Sequence, residues 1–242
     1  YKRQLKKYSF SKVFDLQNSS RTNFYKNILF PKAKKETWSS SITTLPEVID
    51  KKEFDKHSVL DRFNHQLQTS GLKTSHTLNP NFSWAGSEIS KIKDHFKLDK
   101  FILLFPFCSP HLHIKKWPYY NDLIKLILDK FGNEYKIVIA PGPSEINDAK
   151  EINAEVLLDN GKALDISQLT SLIKESTFVI ANDTGPAHIA AHVGAKGLTL
   201  FGEHTTAYKV SIERDNFKAI EVTDLNNLSA EKVFERLINS LN

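Results

Sequence analysis

The stretch VIANDTGPAHIAAHVGA, Val179–Ala195, passes within four residues from an apolar run to a helical pattern. The apolar run is typical of a buried strand, and the small residues that follow Pro186 are typical of a helix. Asp183 and Thr184 stand at the junction, and Asp and Thr commonly cap helices. The exposed N–H groups of a helix start also bind phosphate. The junction alone leaves both interpretations open.

The same alternation of strand and helix runs outward from this stretch through the chain after Phe101. Its strands are apolar throughout, as are strands buried on both faces in a parallel sheet covered by helices. The sequence therefore predicts an α/β fold with a doubly wound parallel sheet. The predicted strands are 101–107, 135–140, 155–159, 177–182, 197–202 and 218–222, and the predicted helices are 118–131, 144–153, 166–176 and 229–241.

The first hundred residues follow a different pattern. KVFDL (12–16) predicts one buried strand, SSRTNFYKNIL (19–29) predicts the helix after it, and residues 57–72 predict a helix that ends at Gly71. The segment between these helices is polar and irregular. One strand–helix pair and one long helix cannot close a doubly wound sheet, so we interpret this part as the back end of a separate domain. The predicted domains are 1–98 and 99–242.

Composition restricts the class of protein and of partner. The 242 residues are 40% hydrophobic and 25% charged, which is ordinary for a globular chain, and the single cysteine, Cys108, excludes an internal disulfide. No apolar run approaches the length of a membrane span, and no signal peptide is visible. The net charge of +5 favours acidic partners. Nucleic acid is disfavoured among them, because aromatic and basic residues are not interleaved on any single element.

Polar side chains follow three of the predicted strands. Ser109 and Lys115 come after 101–107, Glu145 comes after 135–140, and the opening junction comes after 177–182. Ligands of open α/β sheets bind at the carboxyl ends of the strands, beside helix starts. A lysine, a hydroxyl and free amides suit the phosphates of a nucleoside diphosphate, and a carboxylate suits the ribose hydroxyls.

Other motifs are incomplete. The chain has neither GxGxxG nor GxxxxGK[ST], which removes the main support for a dinucleotide site or a P-loop. His188 and His192 are spaced like the histidines of a zincin, but Ile189 stands where the zincin motif has glutamate. His111 and His113 form a similar pair. We predict no metal site.

The motifs together resemble glycosyltransferase family nine, the ADP-heptose:lipopolysaccharide heptosyltransferases. The residues that carry the resemblance are Asp183-Thr184-Gly185-Pro186-Ala187-His188, Leu200-Phe201-Gly202, Lys115-Lys116-Trp117-Pro118 and, more loosely, YSFSKVFDLQNSSRTN (8–23). The resemblance implies a GT-B-like architecture of two Rossmann-like domains, with the nucleotide-sugar donor on the C-terminal domain. The donor-binding residues that it implies are Ser109, Lys115, Glu145, Asp183, Thr184, Gly185, Pro186 and His188.

Each of these residues takes a role from the resemblance. The backbone around Thr184, Gly185 and Pro186 would meet the diphosphate, which Ser109 and Lys115 would also reach. Glu145 would contact the ribose or the base. Asp183 would cap its helix or bind a donor sugar hydroxyl, and His188 would orient the loop or contact the donor. Lys115 would stabilise the leaving phosphate in a metal-independent, inverting transfer that uses no cofactor.

The sequence departs from the family pattern in two places. The family's first strand, whose Gly-Asp element carries the catalytic Asp, has no counterpart before Tyr1, so the N-terminal domain is expected to be incomplete and the base is unknown. The family's GPTDP-like stretch is replaced by GEHTT (202–206), near the expected sugar pocket.

Two functions follow from these observations. The first is transfer of a sugar, expected to be heptose from an ADP-linked donor, to an acceptor of the lipopolysaccharide-core type. Such an enzyme would work in the cytoplasm, on the inner face of the inner membrane, where its basic surface would meet anionic lipid. The alternative is a non-catalytic module that binds a nucleotide or nucleotide-sugar.

Overall fold

The computed structural model describes residues 2–5, 7–30, 37–109 and 111–241. They divide into two compact units, Tyr1–Pro80 with Lys209–Ser211, and Asn81–Tyr208 with Ile212–Asn242. The functional domains expected at 1–98 and 99–242 stay a prediction.

The second unit is built on one six-stranded parallel sheet. Its strands are β3 (Phe101–Phe105), β4 (Lys136–Ile139), β5 (Glu155–Val156), β6 (Phe178–Asn182), β7 (Gly197–Phe201) and β8 (Phe217–Glu221). Their spatial order is β5-β4-β3-β6-β7-β8, and every neighbouring pair is parallel. This is the strand order of a doubly wound nucleotide-binding sheet. The chain adds β4 and β5 on one side of β3, and then adds β6, β7 and β8 on the other side. The predicted α/β fold is confirmed.

All six strands lie where the sequence predicts them. Every residue of β3, β6 and β7 is buried, because helices cover both faces of the sheet and leave no polar face. Gly197 shows how close the strands pack, since a Cβ built on it would lie 2.5 Å from the Val179 carbonyl oxygen. A cluster of buried apolar side chains joins one face of the sheet to residues 120–127 and 230–237.

The helices that follow Asn81 along the chain are α5 to α10. Tyr120–Phe131, Ile166–Glu175 and Ala230–Leu241 match the predicted helices 118–131, 166–176 and 229–241. The helix that follows β6 begins at Gly185, as the opening stretch predicts. The bounds are α5 (Ser90–Phe96), α6 (Tyr120–Phe131), α7 (Ile166–Glu175), α8 (Gly185–Val193), α9 (Ala207–Val210) and α10 (Ala230–Leu241).

The helix predicted over 144–153 is wrong. The segment contains turns and only a short 3₁₀ helix, Asp148–Glu151. The carboxylate of Glu145 folds back and accepts a hydrogen bond from the N–H of Gly142 at 2.8 Å, which holds a turn at the start of the segment. Further along, the N–H groups of Lys150 and Ile152 bond carbonyls three residues back rather than four, so no α-helix propagates.

The first unit contains a parallel pair of short strands, β1 (Val13–Phe14) and β2 (Trp38–Ser39). The predicted strand 12–16 is shorter than expected, and β2 lies in a segment that the polar pattern marks as irregular. The buried side chain of Gln66 bridges the two strands, because its Nε2 donates to the carbonyl of Asp15 at 3.0 Å and lies 3.2 Å from the carbonyl oxygen of Ser39. The helices are α1 (Lys2–Leu5), α2 (Ser20–Leu29), α3 (Lys51–Phe54) and α4 (Val59–Thr69).

The predicted helices 19–29 and 57–72 correspond to α2 and α4. Gly71 follows α4 with a φ of 87°, the left-handed conformation expected of a glycine after a helix. Among the described residues, no helix combines the length and the apolar character that crossing a bilayer requires.

Candidate functional site

A cavity of about 300 Å³ lies at the carboxyl ends of β3, β4 and β6. This is the edge of the sheet where its winding direction reverses, the usual ligand site of doubly wound sheets. Apolar residues at the ends of β3 and β4 form much of its wall. Five of the sequence-predicted site residues also line it: Ser109, Glu145, Thr184, Gly185 and Pro186.

The start of α8 presents an open helix end to this cavity. Thr184 is the N-cap, but its side chain accepts no hydrogen bond from the helix. The hydroxyl instead donates to the Asn182 carbonyl at 3.3 Å. The interpretation of Asp183 and Thr184 as side-chain caps is therefore wrong. A Cβ built on Gly185 would meet no atom within 4 Å, so the backbone at the helix start is open to a ligand.

Glu145 enters the cavity from the loop after β4. Its Oε2 accepts from Gly142 N–H, while no donor among the described residues bonds to Oε1. The turn thus fixes one carboxylate oxygen in position, and the other can accept a ligand hydroxyl.

The other predicted residues form a second group beside the cavity, centred on Asp183. The Asp183 side chain is only 4% exposed. Lys115 Nζ lies 2.6 Å from its Oδ2, and His188 Nε2 lies 3.6 Å from its Oδ1. Lys115 and His188 do not line the cavity, but Asp183 directly precedes Thr184, which does. The two groups are therefore adjacent at one sheet edge.

His204 completes this group, and sequence reasoning missed it. Its Nε2 lies 3.0 Å from Oδ2 of Asp183, the oxygen that Lys115 also contacts. His204 belongs to the GEHTT stretch after β7, and β7 is the neighbour of β6. The sequence does contain a signal for His204, which is its position just beyond the carboxyl end of a predicted strand. Parallel strands end at the same edge of a sheet, so a histidine there is expected near the site.

Asn182, the last residue of β6, holds the Lys115 segment against the sheet. Its Oδ1 accepts from the N–H of Trp117 at 3.3 Å and lies 3.2 Å from the hydroxyl of Tyr120. Its Nδ2 donates to the carbonyl of Pro106 at 2.9 Å. These buried contacts connect the end of β6 with the loop after β3. They place Lys115 within reach of Asp183.

The two histidines spaced as in a zincin contact different partners, Asp183 for His188 and Arg214 for His192. His192 is buried, and its Nδ1 lies 3.3 Å from a guanidinium nitrogen of Arg214. Burial, with the electrostatic influence of Arg214 and His188, lowers the pKa of His192 to about 4. A guanidinium at the ring nitrogen opposes a cation there. Among the residues described, no group of three His, Cys, Asp or Glu side chains is arranged to hold a metal ion.

The environment of Asp183 determines its ionisation. Burial by itself raises the pKa of this carboxyl, but His188, Lys115 and His204 around it together hold its pKa well below the ordinary range. Asp183 is therefore ionised in the folded protein at every pH near neutrality.

Replacing Asp183 by asparagine is expected to lower the free energy of unfolding at pH 6 by about 1.5–3 kcal/mol, the contribution of hydrogen bonds to a charged group. Because the folded pKa is lowered, this contribution is complete above the unfolded pKa of about 4 and declines as the pH falls below it. The difference between wild type and Asp183→Asn should therefore shrink by about 1 kcal/mol between pH 6 and pH 3 in urea titrations. Asp129→Asn, on an exposed face of α6, is the control. If Asp183→Asn lost the same free energy of unfolding at pH 6 and at pH 3, the assignment of a lowered pKa to Asp183 would be contradicted.

Several solved structures are similar to this chain in fold. E. coli heptosyltransferase WaaC, solved with ADP, is 16% identical and has a TM-score of 0.66 over 99% of this chain and 76% of its own. E. coli ADP-heptose lps heptosyltransferase II is also 16% identical, with a TM-score of 0.67 over 99% of this chain and 79% of its own. The glycosyl transferase family 9 protein of Veillonella parvula is 16% identical, with a TM-score of 0.71 over 99% of this chain and 76% of its own. At such identities these similarities show a shared fold, which is the GT-B-like fold implied by the motifs.

A search of curated protein sequences found no match. The model of glycosyltransferase family 9 (heptosyltransferase) matches residues 1–233. That match covers both structural units and all the motifs of the candidate site, and it shows that the chain belongs to glycosyltransferase family 9.

Proposed function

We propose that this chain binds a nucleotide-sugar donor at the edge of the β3–β8 sheet and transfers the sugar to an acceptor. The observation that carries the proposal is the open start of α8, which lines a cavity at the carboxyl ends of β3, β4 and β6. Family membership supports glycosyl transfer as the reaction. The donor is expected to be ADP-heptose, because one structural neighbour is described with ADP and another is named for ADP-heptose.

The donor would occupy the cavity through two kinds of contact. The diphosphate would lie at the start of α8, where the N–H of Gly185 and the helix dipole favour negative charge. The hydroxyl of Ser109 lines the same cavity and could donate to a phosphate oxygen. Glu145 would accept from a ribose hydroxyl through Oε1.

The proposed chemistry is an inverting displacement. An acceptor hydroxyl, deprotonated by a base, attacks the anomeric carbon as the nucleoside diphosphate leaves. We assign that base to no residue of this chain. Lys115 and the start of α8 would stabilise the negative charge on the leaving diphosphate. In this proposal the transfer needs neither metal nor cofactor.

The acceptor is proposed to be acidic, of the lipopolysaccharide-core type. The net charge of +5 arises from an uneven distribution, and the basic excess is concentrated in residues 1–30. That segment carries seven basic residues and one acidic residue, Asp15; the basic ones are Lys2, Arg3, Lys6, Lys7, Lys12, Arg21 and Lys26. A basic segment favours phosphorylated glycan or anionic lipid, and it supports the proposal that the protein works at the inner face of the inner membrane.

Replacing Gly185 by alanine is expected to separate stability from ligand binding. A Cβ there meets no protein atom within 4 Å, and Ala suits a helix better than Gly. The thermal midpoint should therefore be unchanged or higher. The same methyl group would stand where a diphosphate approaches the backbone, so the dissociation constant of ADP should rise by about tenfold or more.

Calorimetric titration of the wild-type chain and Gly185→Ala with ADP, beside a melting scan of each, tests this. Equal ADP affinity in the two proteins would place the diphosphate elsewhere. Absence of ADP binding by the wild type would overturn the proposed function. ADP binding without sugar transfer by the whole protein would favour the non-catalytic nucleotide-binding alternative.

A further inference from the structure

Two donors share one oxygen of a buried carboxylate in the Asp183 group. Lys115 Nζ and His204 Nε2 lie 2.6 Å and 3.0 Å from Oδ2 of Asp183. A lysine alone would suffice to pair the charge, so the second donor on the same atom needs an explanation. The explanation matters because Lys115 has two potential partners in the proposed function, Asp183 and the donor phosphate.

His204 is held firmly in place. Its ring stacks on Phe201 with centroids 5.9 Å apart and planes inclined by 18°, and its side chain is only 9% exposed. The other ring nitrogen, Nδ1, is buried and has no hydrogen-bond partner among the described residues. Burying an unpartnered polar atom is unfavourable, so a histidine is a costly choice if packing alone is its purpose. Within the described part of the chain, the one polar contact of the ring is the contact with Asp183.

We infer that His204 is a positioning residue that keeps Asp183 paired and thereby releases Lys115 to the donor phosphate. The inference rests on the proposed function, since it requires a phosphate at the start of α8. Lys115 carries its ammonium group on a flexible four-carbon stem, whereas the ring of His204 is fixed by packing. When the lysine turns toward a phosphate, His204 and His188 remain beside Asp183. Without His204, the buried carboxylate would retain the lysine more strongly.

The test is ADP titration of the full chain and a set of variants, with ADP chosen because it lacks the donor sugar that Asp183 was expected to touch. His204→Ala is expected to weaken ADP binding by about tenfold, because Lys115 must then leave the carboxylate with one donor fewer. His204→Gln carries an amide N–H that can reach Asp183 and should retain most of the affinity. His95→Ala, which removes an exposed histidine on α5, should have no effect.

The double variant His204→Ala/Asp183→Asn distinguishes this role from simple packing. A neutral amide does not hold the lysine by charge, so the double variant is expected to recover the ADP affinity of the wild type to within about twofold. A loss that came only from the missing ring against Phe201 would persist in the double variant. Persistence of the loss, or unchanged affinity in His204→Ala, overturns the role of His204 while the proposed function stands. Absence of ADP binding by the wild type overturns both.

Discussion

Replacing Lys115 by alanine is expected to raise the dissociation constant of ADP by about 10- to 100-fold, because a hydrogen bond to a charged group contributes about 1.5–3 kcal/mol. Lys115 follows β3, and its ammonium nitrogen lies 2.6 Å from Asp183, the residue that precedes the cavity-lining Thr184. The start of α8 is the expected diphosphate position, and this lysine is held beside it. A point charge on a flexible stem suits a phosphate.

The neighbouring lysine provides a matched control. Lys116 has the same charge and is exposed, so Lys116→Ala should change the ADP affinity by less than about twofold. Adenosine, which lacks phosphate, should bind wild type and Lys115→Ala equally. A similar loss for both lysine variants would indicate a general charge effect, and a loss of adenosine affinity in Lys115→Ala would indicate a disturbed pocket.

Replacing Trp117 by alanine is expected to lower the free energy of unfolding by about 3–5 kcal/mol, the range for removal of a large buried aromatic side chain. Trp117 is 1% exposed and belongs to the cluster of buried apolar side chains that packs α6 and α10 against one face of the sheet. Its Nε1 donates to the carbonyl of Leu228 at 2.7 Å, and its ring packs on Tyr120 with centroids 4.9 Å apart. The substitution leaves both a cavity and an unpaired carbonyl, so the two losses act together.

Trp84 is the control for this prediction, because its side chain is 83% exposed. Trp84→Ala should change the free energy of unfolding by less than about 0.5 kcal/mol in urea titrations. Trp117 lies two residues after Lys115, so Trp117→Ala should also weaken ADP binding by misplacing the lysine. Full ADP affinity in a destabilised Trp117→Ala protein would show that the segment positions Lys115 independently of the core.

Part of the candidate site could be predicted from sequence. The residues Ser109, Glu145, Thr184, Gly185 and Pro186 each follow a strand that its apolar run identifies, and the structure brings all five to one cavity. Their convergence follows from parallel strands ending at a common edge. Glu145 was placed at the right strand end but in the wrong element, because a side-chain bond to Gly142 favours a turn over the helix that local pattern indicates.

The sequence by itself determined the α/β fold, because strands as apolar as β3, β6 and β7 have to be buried on both faces, and this requires helices on both sides of a parallel sheet. Only the tertiary structure decided which side chains meet. The strand order places β3 and β7 on either side of β6. It therefore brings Lys115, 68 residues away in the chain, and His204, 21 residues away, to the carboxylate of Asp183. Periodicity records whether a residue is buried, whereas contacts between distant residues depend on strand order and register, which no local pattern contains.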